Sequence, residues 1–326
     1  MTAPSDLPPR SGGSQEQGER RFAVRRRARI AYEIRTPARG LDEPDDDAAQ
    51  PHGAPWLVLL PGIGFDSAGW DPVVAGLARS FRLVLVDSRG TGASDRLPAM
   101  YSVPEMADDV VAVLDDAGIE RAHIAGVSLG GMAAQHLAIH HPARVSSLVL
   151  ACTTPGWPRG VTMPTASLFL LAATQDVPWD VALRRHVENM LSGETVRRRP
   201  ELVDEVEVHL ASRQPSDHTL NVLGGAGMRW SGGTGQSRIQ ARTLIISGTA
   251  DTVVDPRNSQ VLAQAIPRAA LLLLPGLGHL FFWEDPEGTV EAVTAFLRTG
   301  VARVPGSGPA AGKGRPVPEG SSEAGG

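Results

Sequence analysis

The stretch "AHIAGVSLGGMAAQHLA" at 122–138 restricts the fold more than any other part of the chain. An apolar run ends at Val127 and a helical pattern follows at once, with Ser128 at the junction and Gly126, Gly130 and Gly131 around it. Glycine is costly at the start of a helix and serine gains little in a core, so the junction must need small residues for space. A tight strand-to-helix turn has that need. It pushes the serine hydroxyl out at the edge of a sheet, where a larger neighbour would meet the adjoining strand or helix. Backbone N–H groups at the helix start are left without intrahelical partners. The segment also fits G-x-S-x-G, and its place after a strand and before a helix is the context that gives this pattern meaning.

Short apolar runs bounded by turn residues recur at 55–60, 82–87, 122–127, 146–151, 243–248 and 270–276. Their continuous Leu, Ile and Val content predicts strands buried on both faces. Helical patterns lie between them. Within 103–119, Met106, Val110, Val113 and Leu114 make one apolar stripe, with Pro104 near the start and Gly118 past the end. This alternation predicts an α/β fold, a mostly parallel central sheet with helices on both faces. From 155 to 240 the strands stop, and helical pieces and glycine-rich loops such as "GGAGMRWSGGTG" take over. That region is expected to be a helical lid over one end of the sheet, with the apolar run 167–173 as one lid helix. At least two of its aromatic residues, among Trp157, Phe169, Trp179 and Trp230, are expected to line an apolar pocket. The expected organisation is a core of 21–154 and 241–302, a lid of 155–240, and disordered tails at 1–20 and 303–326 that are poor in large apolar groups.

A formal net charge of −5 argues against a nucleic-acid surface. The basic runs at 20–29 and 196–200 read as solvated arginines, offset by acidic clusters such as 42–47. Cys152 is the only cysteine, which excludes an internal disulfide and a thiolate metal cluster within the chain. No H-E-x-x-H or similar ligand spacing occurs, so no metal and no cofactor are expected. Residues 1–20 contain no apolar core of a secretion signal, and no run approaches the roughly 20 apolar residues needed to span a bilayer. The expected location is the cytoplasm, with no membrane partner.

A serine hydroxyl is a weak nucleophile until an oriented base takes its proton. Of the histidines, His279 follows a strand and a Pro/Gly loop, which hangs it from the same sheet edge as Ser128. His140 and His141 close the helix after the turn, His123 lies in a strand, His52 in a polar loop and His136 in a helix. His186, His209 and His218 fall in the insertion, where the sequence supports no role. The orienting carboxylate should hang from the preceding strand end, where "TLIISGTADTVVDP" offers Asp251 and Asp255. Asp251 is favoured, because Asp255 precedes Pro256 and fits a helix N-cap.

The order Ser128, Asp251, His279, each on a loop after a strand, resembles the α/β-hydrolase superfamily, and within it the lid-bearing serine esterases and enol-lactone hydrolases. The resemblance covers about residues 22–300 and includes "LLPGIGFDSAGWDPV", "VDSRGTGASD" and "GTADTVVDP". It implies a triad of those three residues and an oxyanion hole made by the backbone N–H groups of Leu129 and Ile63. Many relatives carry His-Gly where this chain has Pro61-Gly62. For "DSRGTGASD" it implies a structural turn tied by Asp87, Arg89 and Ser94, and no Gly-Lys-Ser/Thr follows to suggest a nucleotide. The function so implied is cofactor-free hydrolysis of an ester, lactone or thioester with an apolar acyl or ring moiety. The same residues can serve a perhydrolase, lyase or oxygenase, a small-molecule receptor with slow turnover, or a thioesterase that needs a carrier-protein partner.

Overall fold

The computed structural model describes residues 18–36, 53–165, 167 and 178–303. The tails expected at 1–20 and 303–326 lie outside the described residues except for 18–20 and 303, as do Phe169 and all of 167–173 beyond Ser167. Among the described residues, eight strands form one sheet: β1 (Arg20–Arg25), β2 (Ala28–Arg35), β3 (Trp56–Leu60), β4 (Arg82–Val86), β5 (Ala122–Val127), β6 (Val145–Ala151), β7 (Arg242–Gly248) and β8 (Ala269–Leu274). Their spatial order is β1-β2-β4-β3-β5-β6-β7-β8. The β1/β2 and β2/β4 pairs are antiparallel and all the others parallel.

Alternation along each strand divides the core between the two faces of this sheet. Leu57, Leu59, Leu83 and Leu85 belong to one cluster, while Val58, Leu60, Val84 and Val86 belong to the other. Both faces are buried, which is why the central strands read as unbroken apolar runs. Helices α1 (Asp71–Ala78), α2 (Val103–Asp116) and α3 (Leu129–His140) fill the connections between β3 and β6. The α2 stripe is buried as its spacing predicts, and Ser102 caps it by accepting from the Glu105 N–H at 3.4 Å.

The arginines of the basic run at 20–29 are exposed, as expected, except Arg25, and the run also has a structural role. It forms the β1–β2 hairpin at the sheet edge, and Arg25 and Arg29 make specific ion pairs. Arg25 reaches Asp108 and Asp109, and Arg29 holds Asp95 through its side chain and its N–H. The "DSRGTGASD" turn is tied much as expected. Asp87 is buried and accepts from the Ser67 and Ala93 N–H groups, and Ser94 Oγ donates to the Asp87 carbonyl at 2.7 Å. Burial, then the nearby Asp66 carboxylate, pushes the Asp87 carboxyl upward. Arg89 donates twice to Asp109, which also accepts from Tyr101.

Between β6 and β7 the chain makes a helical insertion: α4 (Trp179–Met190), α5 (Gly193–Arg198), α6 (Pro200–Arg213) and α7 (Asp217–Arg229). Helices α8 (Arg257–Ala265), α9 (Phe281–Glu284) and α10 (Pro286–Thr299) complete the fold. The segment "GGAGMR", expected as loop, is the last part of α7. This end of α7 packs near the sheet edge: a Cβ on Gly227 would lie 3.3 Å from Leu129 Cδ1, and one on Gly224 would sit in ordinary contact, 3.7 Å from Ile63 Cδ1. Tertiary packing here overrides poor helix propensity. No helix among the described residues is long and apolar enough to cross a membrane.

Candidate active site

The sheet order reverses between β3 and β5, and crevices beyond the C-terminal strand ends at such a switch point are where α/β folds bind ligands. Ser128 stands directly beyond β5 with φ 54° and ψ −117°, a conformation that costs a residue with a side chain about 1–3 kcal/mol. Hydrogen bonds hold it there. Ser128 N–H donates to the Ala151 carbonyl at 2.9 Å, while the Ser128 carbonyl accepts from Thr153 Oγ1 at 2.7 Å and from Met132 N–H at 3.2 Å.

The glycines around it are required by contact distances. A Cβ on Gly126 would lie 2.3 Å from the Gly130 carbonyl oxygen. One on Gly130 would lie 2.4 Å from the Leu60 oxygen and 2.5 Å from the Pro61 oxygen. Backbone carbonyls cannot swing aside, so Gly130→Ala is expected to cost about 3 kcal/mol, the upper part of the overpacking range, and to lower the melting temperature by several degrees. A variant that melts with the wild type in calorimetry would show that the turn has slack.

His279 lies in the loop after β8 and Asp251 in the loop after β7, and both are buried. The Asp251 carboxylate accepts from His279 Nδ1 at 2.8 Å through Oδ2. Its Oδ1 accepts from the N–H groups of Val253 at 2.8 Å and Val254 at 2.9 Å. The carboxylate is thereby fixed in orientation, and the proton on Nδ1 leaves His279 Nε2 as an acceptor. Asp255 is not part of this arrangement. Its carboxylate accepts from the N–H and guanidinium of exposed Arg257 at the start of α8.

Ser128 and His279 open on one cavity of about 710 Å³, mouth included. Ile63 lines it too, on the loop after β3. Leu129 is the first residue of α3, so its N–H is one of the helix donors without an intrahelical acceptor. Gly62 is close enough that a Cβ there would sit 3.3 Å from Ser128 Cβ. The aromatic wall comes from Phe65, Trp70 and Phe282, all on loops or helices of the sheet domain. Here the sequence expectation fails. Trp157 and Trp179 are largely exposed, and Trp230 is buried in the core cluster that includes Leu129, so none of the three lines the cavity.

Two residues that sequence reasoning passed over are part of this region. His186 on α4 lines the cavity, on the same helix face as Leu183, Val187 and Met190. A histidine in register with that buried stripe was the available signal. Glu284 on α9 is the other. Its buried carboxylate accepts from the Gly278 N–H at 2.7 Å, the Ser192 N–H at 3.2 Å and Thr195 Oγ1, joining the residue before His279 to the insertion.

Cys152 Sγ, an Asp251 oxygen and a His279 nitrogen lie within 4.8 Å of one another, the one cluster among the described residues that could surround a metal ion. It is a poor metal site. Burial, followed by the Asp251 charge, raises the Cys152 thiol well above its usual value, and metals bind the thiolate.

A mostly parallel sheet of this order, with a strained serine turn at its switch point, defines an α/β hydrolase. The chain belongs to that family: the model for the alpha/beta hydrolase fold matches residues 55–286. It is similar to a putative carbamate hydrolase, RutD, of Caulobacter sp. (strain K31), 32% identical over 258 residues that cover 76% of this chain and 93% of that protein. It is also similar to a pimeloyl-[acyl-carrier protein] methyl ester esterase of Nitrosomonas europaea, 32% identical over 251 residues, covering 74% and 95%. Among solved structures it resembles Est816, an N-acyl homoserine lactone degrading enzyme, with a TM-score of 0.70 at 29% identity, covering 85% of this chain and all of that one. The family implies a small-molecule substrate.

Proposed function

We propose that the protein is a cofactor-free serine hydrolase that cleaves a carboxylic ester, lactone or thioester through an acyl-enzyme. One observation carries the reading: a strained serine and a His279–Asp251 pair open on the same cavity. His279 Nε2 takes the Ser128 proton as Oγ attacks the substrate carbonyl carbon. The negative charge that develops on the carbonyl oxygen is met by the N–H groups of Leu129 and Ile63, and loss of one such donor typically costs about 100- to 1,000-fold. The imidazolium then protonates the leaving group as its bond to the acyl carbon breaks. Water, deprotonated by His279, attacks the ester on Ser128 and releases the acid. Asp251 holds the imidazole in one tautomer and offsets its positive charge.

The insertion acts as a lid, since Met163, His186, Asn189 and Met190 contribute to the cavity wall from that side. The names of the relatives support a substrate with an acyl carbonyl, as carbamates, methyl esters and lactones all have one. The test is a panel of p-nitrophenyl esters of graded acyl length, with a lactone and a thioester, assayed before and after prolonged treatment with a strong chelator. Steady turnover of at least one substrate, unaffected by the chelator, is expected. A stoichiometric burst without turnover, a requirement for added peroxide, or loss of activity restored by zinc would each contradict the proposal.

A further inference from the structure

Among the described residues the cavity wall carries no permanent charge. None of its described lining residues is Lys, Arg, Asp or Glu, and most are apolar. Its polar side chains are Ser128, His279, Ser167, Asn189 and His186, with the Trp70 indole beside them. Most of these are engaged or assigned. His279 is held by Asp251, and Asn189 Nδ2 donates to Ser167 Oγ at 3.0 Å. Thr252 Oγ1 donates to the Asn189 carbonyl at 2.7 Å, and Ser167 Oγ donates to the Thr252 carbonyl, so this group closes on itself. The Trp70 Nε1–H has no partner among the described residues, but it is closed off from solvent and is a donor only.

His186 differs. It is half-buried on α4 and borders the cavity, and neither ring nitrogen makes a hydrogen bond among the described residues. Burial first, and then the nearby His279 imidazole, hold its ring below the usual histidine value. It is therefore neutral at pH 7, with one nitrogen donating and the other accepting. A polar group at the edge of an apolar cavity loses water when substrate enters, and it costs free energy unless the substrate replaces that water.

We propose that His186 is a specificity-determining residue, which hydrogen-bonds an uncharged hydroxyl or oxo group on the substrate, so that the preferred esters or lactones carry such a group near the scissile carbonyl. The inference rests on the hydrolase reading above and adds the substrate class. The absence of lysine and arginine from the described wall argues against a carboxylate in this place, because a buried anion needs a paired cation. The neutral imidazole suits a neutral partner in either direction of hydrogen bonding. A plain alkyl chain would leave it unpaired.

The test compares kcat/KM within two substrate pairs. On the acyl side the pair is p-nitrophenyl butanoate and p-nitrophenyl 3-hydroxybutanoate; on the alcohol side it is ethyl butanoate and 2-hydroxyethyl butanoate, followed by pH-stat. The hydroxylated member of at least one pair is expected to be preferred about tenfold, the worth of one hydrogen bond. In His186→Leu that preference should fall to about one, and in His186→Gln, which keeps a neutral donor and acceptor, a severalfold preference should return. Circular dichroism establishes that both variants are folded. No preference in either pair, or a preference that His186→Leu retains, would overturn the inference. Labelling of the wild type by a fluorophosphonate separates this failure from that of the hydrolase reading. A labelled enzyme without the preference loses only the role of His186, while an enzyme that takes no label loses both.

Discussion

Ser128→Ala is expected to lower kcat by about a millionfold on any ester the protein turns over, a loss like that seen when the serine of a comparable triad is removed. The proposed oxyanion donors and the cavity remain in such a variant, so the residual rate should still exceed that in water by about 1,000-fold or more. Stability should change little. Alanine inherits the same φ of 54° and the same strain, and the bonds that hold the turn belong to the backbone of residue 128. Labelling by a fluorophosphonate should vanish while the circular dichroism spectrum is unchanged. Labelling that persists would mean that another residue is the nucleophile.

Asp251→Asn is expected to have the next largest effect, about 10,000-fold in kcat. The geometry gives a specific reason. Oδ1 of Asp251 accepts from two backbone N–H groups, so an asparagine would keep its oxygen there and turn its NH₂ toward His279. His279 Nδ1 would then have to accept rather than donate, which puts the ring proton on Nε2, facing Ser128. The base would be in the wrong tautomer, with the fold intact. Asp255 serves as the internal control, because its carboxylate is bonded to Arg257 at the start of α8. Asp255→Asn should be nearly silent, and Asp255→Ala should cost about 1 kcal/mol or less, with catalysis preserved. Kinetics and thermal melts on the three variants decide the matter. A severe defect in Asp255→Asn beside a mild one in Asp251→Asn would move the role to Asp255.

The central sheet was legible in the sequence because both of its faces are buried. Leu57 to Leu60 and Leu83 to Val86 must be apolar at every position, and such runs are hard to mistake. The β1–β2 hairpin was not legible, for two physical reasons. In β1 only Ala23 is fully buried, and arginines occupy half of the strand. The turn between the strands is Arg26-Arg27, both with positive φ, where asparagine or glycine would have given the usual signal. Helix α7 was hidden because its glycines are poor helix formers, and the packing beside Ile63 and Leu129 that overrides this lies far away in the chain.

The candidate site divides in the same way. Ser128, Asp251 and His279 each follow a recognisable strand, and the sheet brings all three strand ends to one edge. The cavity wall depends on which faces of the insertion turn inward, and no strand order fixes that. Trp157 and Trp179 are exposed while His186 borders the cavity, a distinction set by how the insertion packs rather than by residue type. Glu284 was equally hidden, since its hydrogen-bonding partners Ser192 and Thr195 lie some ninety residues away.

Passage of the substrate's acyl group through Ser128 can be read directly by mass. The enzyme is mixed with a p-nitrophenyl ester, quenched with acid during the burst, digested with trypsin and mapped by mass. Ser128 is the only serine in the tryptic peptide 122–144, released by cleavage after Arg121 and Arg144. This peptide is expected to gain the mass of the acyl group, and Ser128→Ala is expected to give no such adduct. Steady turnover with peptide 122–144 unmodified, or with the acyl group on a different peptide, would contradict passage through Ser128.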